Sequence, residues 1–217
     1  MLPLLLLLPL LLLPPPFETF APLTAQPHIF HAFTQRTTAD TKAADYEQQL
    51  VASFGYKNFA CAEQIHGNNV AIVEPTKVGA ATAPRLSFPN VDALVTTIPG
   101  LPLLIRCADC APVFLVAPRA IGLIHSGKKG TLANIVGATV VAMPAPPEQI
   151  LALIGPSIGP CHYDLDLWTP IENQLRAAGV TAIHNQRRCT ACHFDKYFSY
   201  RAEKGNTGRM FALLALR

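Results

Sequence analysis

Three residues of this chain stand where an apolar run meets a loop, and each is a type that binds metals or moves protons. They are His66 in "QIHGN", Cys110 in "CADCAP" and His125 in "LIHSGKKG". Two imidazoles and one thiolate are an ordinary protein set for zinc with the fourth position left open, the arrangement catalytic sites use. The three are scattered over separate segments, so their spacing is not diagnostic. The competing reading is structural: buried histidines satisfied by the backbone, and a cysteine packed as a small hydrophobe.

A second candidate is the loop "HSGKKGT". Gly127 and Gly130 permit close approach, a helix starts just after, and Lys128 and Lys129 add charge, which suits an anion such as phosphate. The spacing of a P-loop is absent. A plain strand-to-helix turn with solvated lysines is the alternative. The pairs Cys107/Cys110 and Cys189/Cys192 are too far apart in sequence for a zinc ribbon. Neither pair opens a helix in a βαβ unit, which argues against a redox dithiol. Cys161-His162 with Cys192-His193 offers a second metal site, the weakest of these readings.

The elements that must position these residues follow from periodicity. "HIFHAFT" reads as a strand and "ADYEQQLVASFG" as a helix ending at Gly55. "NFACAEQIHGNNVAIVE" reads as two strands around the turn His66–Asn69, and 75–89 as a loop. "IRCADCAPVFL" reads as a buried strand carrying Cys107, Asp109 and Cys110 in its middle, the thiols being either small core fillers or residues delivered into a pocket. Strand, glycine loop and helix follow in "AIGLIHSGKKGTLANIVGATVVAM", the helix carrying Leu132, Ile135, Val136, Val140 and Met143. "ILALIG" and "GRMFALLAL" are strands. "TPIENQLRAAG" is a helix with Thr169 as N-cap, Pro170 at N1 and Glu172 at N3. Strands and helices alternate irregularly, so the expected fold is α/β with mixed sheets in a single domain.

Composition limits the function classes. Hydrophobic residues are 50% and charged ones 14%, so the chain is globular. Net charge is +3 without a long basic block, which disfavours nucleic acid. Six cysteines in a chain with a full core suggest free, metal-bound or catalytic thiols rather than a disulfide framework. Leu2–Leu13 is too short to span a bilayer and is broken by Pro3 and Pro9, so no membrane partner is expected. Residues 1–27, rich in Leu and Pro, are expected outside the fold as a disordered or processed leader, with the catalytic domain at 28–217. A cytoplasmic enzyme is expected, with secretion as the other reading of the Leu-rich start. Seven histidines and no His-x-His pair cannot supply a multicopper set, although a single copper could bind.

The ordered segments "EQIHGNNV", "DALVT", "ADCAPVFL", "IHSGKKGT", "GPSIGPCHY" and "FSYRAEKGNTGR" resemble the laccase-domain family, long labelled multicopper polyphenol oxidases. The resemblance runs from about His28 to Leu216. It implies layered mixed β-sheets with flanking helices, similar to a Cys/His toxin-deamidase domain. It also implies zinc on His66, Cys110 and His125, and phosphorolysis of adenosine, inosine or guanosine, with adenosine deamination alongside. Arg36, Lys129, Arg201 or Arg209 would bind phosphate, Asp109 would serve as proton acceptor or orienter, and deamination would need Asp109 or Glu63 as acid and base. The chain departs from the family pattern at Lys128-Lys129, where Trp-Arg is usual, at His162 within "PCHY", at Ala202 after "SYR", and in a shortened N-terminal segment. Competing functions are a metal-free cysteine hydrolase using Cys110 and His125, a copper-dependent phenol oxidase, and a non-catalytic binding protein.

Overall fold

Alternation of side chains along the strands dictates a layered architecture. The computed structural model describes residues 13–75 and 84–217. Strand β12 (Met210–Leu216) is buried along its whole length. Its Phe211 and Leu213 point to one face, and Met210, Ala212 and Leu214 to the other. A strand with two apolar faces must lie inside a stack, covered on both sides.

Two six-stranded sheets supply that stack. The first runs β1 (Phe17–Glu18), β2 (Ile29–Thr34), β12, β7 (Leu103–Cys107), β3 (Phe59–Ala62), β5 (Arg85–Phe88). The second runs β11 (Ala182–Asn185), β10 (Leu151–Ile154), β8 (Ala111–Ala117), β9 (Ala120–Ser126), β6 (Ala93–Thr96), β4 (Val70–Val73). Both mix parallel and antiparallel pairs. Between the sheets lies a core that includes Phe33, Leu103, Ile105, Phe114, Ile121, Leu123 and Leu153. Helix α2 (Tyr46–Ser53) covers the outer face of the first sheet through Leu50 and Val51. The outer face of the second meets α4 (Ile135–Ala142) and α5 (Trp168–Ala177). The expected mixed α/β architecture is the one observed.

Four local expectations are corrected. The run "IRCADCAPVFL" is not one strand. β7 and β8 belong to different sheets, and Ala108–Cys110 turn the corner between them with Asp109 at φ +85°. The segment 75–89 contains β5, which pairs in parallel with β3; residues 76–83 lie outside the described residues. The glycine-loop helix is two pieces, α3 (Lys128–Leu132) and α4, separated by Asn134 in the left-handed region. Helix α5 starts at Trp168 with no side-chain cap from Thr169. Asp166 instead accepts from the Trp168 N–H and the Thr169 hydroxyl.

The fold also begins earlier than residue 28. β1 pairs with β2, and Phe20, just before α1 (Ala21–Thr24), and Leu23 within it are buried between the sheets. Glu18 accepts hydrogen bonds from Arg188 and Tyr197, far along the chain. Residues 1–12 lie outside the described residues. No described helix is long and apolar enough to cross a membrane.

Candidate active site

The corner between β7 and β8 is where the three metal-capable residues meet. Cys110 leaves that corner, His125 stands near the end of β9, and His66 sits in the loop from β3 to β4. Register explains two of them: Pro112 of β8 lies opposite His125 of β9, so the corner is carried to the end of that hairpin. His66 needs local distortion, and both it and Gln64 have positive φ. Gln64 holds the loop in place by accepting from the Arg106 N–H at 2.8 Å and donating to its carbonyl at 2.7 Å. The His66, Cys110 and His125 donor atoms lie within 4.8 Å of one another. The two imidazole rings meet edge to face, with centroids 4.9 Å apart.

Asp92, fully buried just before β6, organises the group. Its carboxylate lies 2.8 Å from His125 Nδ1 and accepts the backbone N–H of His66 at 2.9 Å and of Gly67 at 2.7 Å. One side chain thus orients one imidazole and the backbone under the other. With Nδ1 engaged, Nε2 of His125 is the nitrogen left for a ligand. Burial raises the Asp92 carboxyl, but these hydrogen bonds, led by that from His125, hold it below its usual range. Sequence reading quoted "DALVT" yet passed over Asp92; the only signal was a carboxylate opening a buried strand.

The electrostatics favour an ionised thiol. Burial alone would raise the Cys110 thiol, but the His125 charge and hydrogen bonds from both imidazoles bring it down to about 6. His125 moves oppositely. Desolvation disfavours its cation, and Cys110 together with Asp92 pushes it up to about 9. Gly127 is required by the packing here, since a Cβ at that position would stand 2.8 Å from Cys110 Sγ.

The trio opens into a cleft of about 1220 Å³. Lys42, Arg85, Arg106, Lys128, Lys129, Arg201, Lys204 and Arg209 line it, against only Glu47, Glu63 and Asp109. Glu47 is occupied by Arg85 and Arg106. Among the described residues no ion pair engages Lys128 or Lys129, so the cleft carries excess positive charge suited to an anion. Helix α3 has only five residues, so this preference rests on the side chains rather than on a helix terminus. Tyr200, Tyr163, Ile65, Ile158 and Leu167 add flat or apolar surface.

The remaining expected residues divide. Lys129, Arg201 and Arg209 line the cleft, and so does Glu63. Arg36 does not. Its guanidinium is held by the Phe194 and Tyr197 carbonyls and by Glu203, and it stacks on Phe194 and Phe198. Asp109 lines the cleft, but both its oxygens are engaged, one by the Thr190 hydroxyl at 2.6 Å and one by the Arg201 N–H at 2.7 Å. It ties the 190–201 segment to the corner. Arg106 and Arg85 were not among the expected anion ligands, although Arg106 stands in the same apolar run as Cys110. Cys107 packs between the sheets.

Comparison with known proteins places this chain in a family. The model described as multi-copper polyphenol oxidoreductase laccase matches residues 34–166 and 162–217. A protein named purine nucleoside phosphorylase YlmD, from Geobacillus stearothermophilus, is 33% identical over 204 residues, covering 76% of this chain and 74% of its own. One named purine nucleoside phosphorylase, from Deinococcus radiodurans, is 32% identical over 243 residues, covering 96% and 91%. The crystal structure of YlmD from Geobacillus stearothermophilus aligns with a TM-score of 0.79 at 25% identity, over 94% of this chain and 100% of that one. The matched ranges take in strands of both sheets, and the chain belongs to the multi-copper polyphenol oxidoreductase laccase family.

Proposed function

We propose that this chain is a purine nucleoside phosphorylase with zinc held by His66, Cys110 and His125. The observation that carries the reading is the convergence of these three donors in a cationic cleft large enough for a nucleoside and phosphate. The names of the relatives supply the reaction class. The donor set fits the metal: a thiol already lowered to about 6, an imidazole oriented by a buried carboxylate, and a second imidazole beside them. When bound, zinc would supply Lewis-acid polarisation of an oxygen on a reactant.

The chain's own residues do the rest. Lys129, Arg201 and Arg209 hold phosphate, and the exposed ring of Tyr200 gives the purine a flat surface. A phosphate oxygen bonds to C1′ of ribose as the bond from C1′ to the base breaks, its electron pair leaving on the base. Both Asp109 oxygens are engaged, whereas Glu63 accepts the Asn90 N–H on Oε2 and keeps Oε1 for proton transfer. Holding both reactants in line in a partly desolvated cleft supplies much of the acceleration.

The seven imidazoles weigh against oxidase chemistry with several coppers. Only His66 and His125 meet here, and the other described metal-capable cluster has one histidine. A second reading is a metal-free cysteine hydrolase, favoured by the Cys110–His125–Asp92 chain of contacts. Incubation of the purified chain with inosine or adenosine, with and without phosphate, separates these. Phosphate-dependent free base and ribose 1-phosphate support the proposal. Inosine formed from adenosine without phosphate would reveal deamination. Neither product, with chelator-insensitive hydrolysis of an ester or amide, would favour the hydrolase.

A further inference from the structure

A second group of metal-capable side chains lies outside the cleft, where the loop after β10 meets the segment after β11. Cys161 Sγ and Cys192 Sγ are 3.3 Å apart. His162 Nδ1 is 3.4 Å from Cys161, 3.5 Å from Cys192 and 3.8 Å from Cys189. All four donor atoms fall within 4.8 Å of one another. A tetrahedral zinc with Zn–S bonds of about 2.3 Å requires donor separations of roughly 3.5–3.8 Å, so these need shift little to close on one ion. Cys189, the buried member, receives backbone N–H groups from Gly159, Ala191 and Cys192. Such donors stabilise a charged sulfur far more than a neutral thiol.

We propose that Cys161, His162, Cys189 and Cys192 form a second zinc site, closed by four protein ligands and structural in role. Three thiolates and one imidazole leave no position for a reactant, which sets this site apart from the open trio in the cleft. Its place in the fold gives it a purpose. The two segments it joins also meet through backbone bonds at Ser157, Arg188 and Thr190 and, at the exposed cleft rim, through Arg201 over the Tyr163 ring and near Asp164. They carry Ile158 and Tyr163 on one side and Tyr200 and Arg201 on the other, all walls of the cleft. Thr190, between the two cysteines of the second segment, holds Asp109 at the β7–β8 corner. An ion here clamps the wall of the active site without touching the reactants. The inference stands whether or not the cleft binds zinc.

The test is done in full-length chain carrying His66→Ala and Cys110→Ala, so that the cleft cannot contribute. Purified without chelator, this variant should retain one zinc per chain, and adding Cys192→Ser should remove it. Cobalt(II) substituted into the first variant should give an intense thiolate-to-metal charge-transfer band with visible bands of a tetrahedral ion, and should not in the second. Chelation should lower the melting temperature of the first only. Absence of zinc and of the cobalt band in the first variant would overturn the proposal. So would an intact mass lower by two hydrogens, which would show a Cys161–Cys192 disulfide instead. Equal zinc retention by both variants would also overturn it.

Discussion

At the scale of single residues, Asp92 and Lys129 are the most informative. Asp92 satisfies His125 Nδ1 and two backbone N–H groups from a fully buried position. Asp92→Asn keeps the volume but loses the charge and one acceptor. Disturbing such a partner of a metal-ligating histidine typically costs about 10–100-fold in metal affinity. Zinc titration of the variant should show that loss while its thermal melt stays cooperative. Lys129 lines the cleft without an ion pair among the described residues. Losing a charge-assisted hydrogen bond costs about 1.5–3 kcal/mol, on the order of a tenfold to hundredfold effect. Lys129→Ala should raise KM for phosphate by that factor and change KM for nucleoside little. Lys129→Arg should lower it through two-pronged contact. Initial rates against phosphate at fixed inosine read this directly. Unchanged phosphate kinetics would move the anion to Arg201 and Arg209.

At the scale of elements, β2 offers a test that leaves the cleft alone. His31 on β2 is buried and accepts the Phe20 N–H at its Nε2. Burial, helped by the charge on Arg217, lowers its pKa from 6.5 to about 4. Between those values the unfolded chain takes up a proton that the folded chain refuses. Stability is therefore full above pH 6.5, falls as pH drops toward 4, and is not reduced further by this group below that. The total is up to about 3 kcal/mol. Melting temperature should fall more steeply across this window in wild type than in His31→Gln. Parallel curves would show that the fold does not lower the pKa of His31.

At the scale of the whole molecule, the N-terminal segment decides whether the sandwich closes. Phe20 and Leu23 fill the space between the sheets, and Glu18 binds Arg188 and Tyr197 from the opposite end of the chain. Losing two buried side chains of this size costs at least about 4 kcal/mol, against a typical total of about 5–15 kcal/mol. Deleting residues 2–27 should thus abolish the cooperative melt or lower its midpoint sharply. Deleting residues 2–12 spares all of these contacts and should lower the midpoint less than the longer deletion. Circular dichroism melts of the two deletions compare them, and equal midpoints would show that 13–27 contribute nothing.

What the sequence by itself determined was the residue types of the candidate site and the layering. Two imidazoles and a thiol at the ends of apolar runs are legible because strands aim residues from their ends, and those runs are mostly apolar, as strands covered on both faces must be. Only the tertiary structure decided how distant segments pair. It put β7 and β8 in different sheets, since one residue at positive φ can turn a run that hydropathy reads as continuous. It made Arg36 a structural clasp and Asp109 a tether, since what a charged side chain does depends on which backbone groups come within its reach. Where the sequence suggested Cys161-His162 with Cys192-His193, the structure puts Cys189 in place of His193, which bonds the Cys189 carbonyl instead, because a parallel pairing of β10 with β11 lays their following loops side by side.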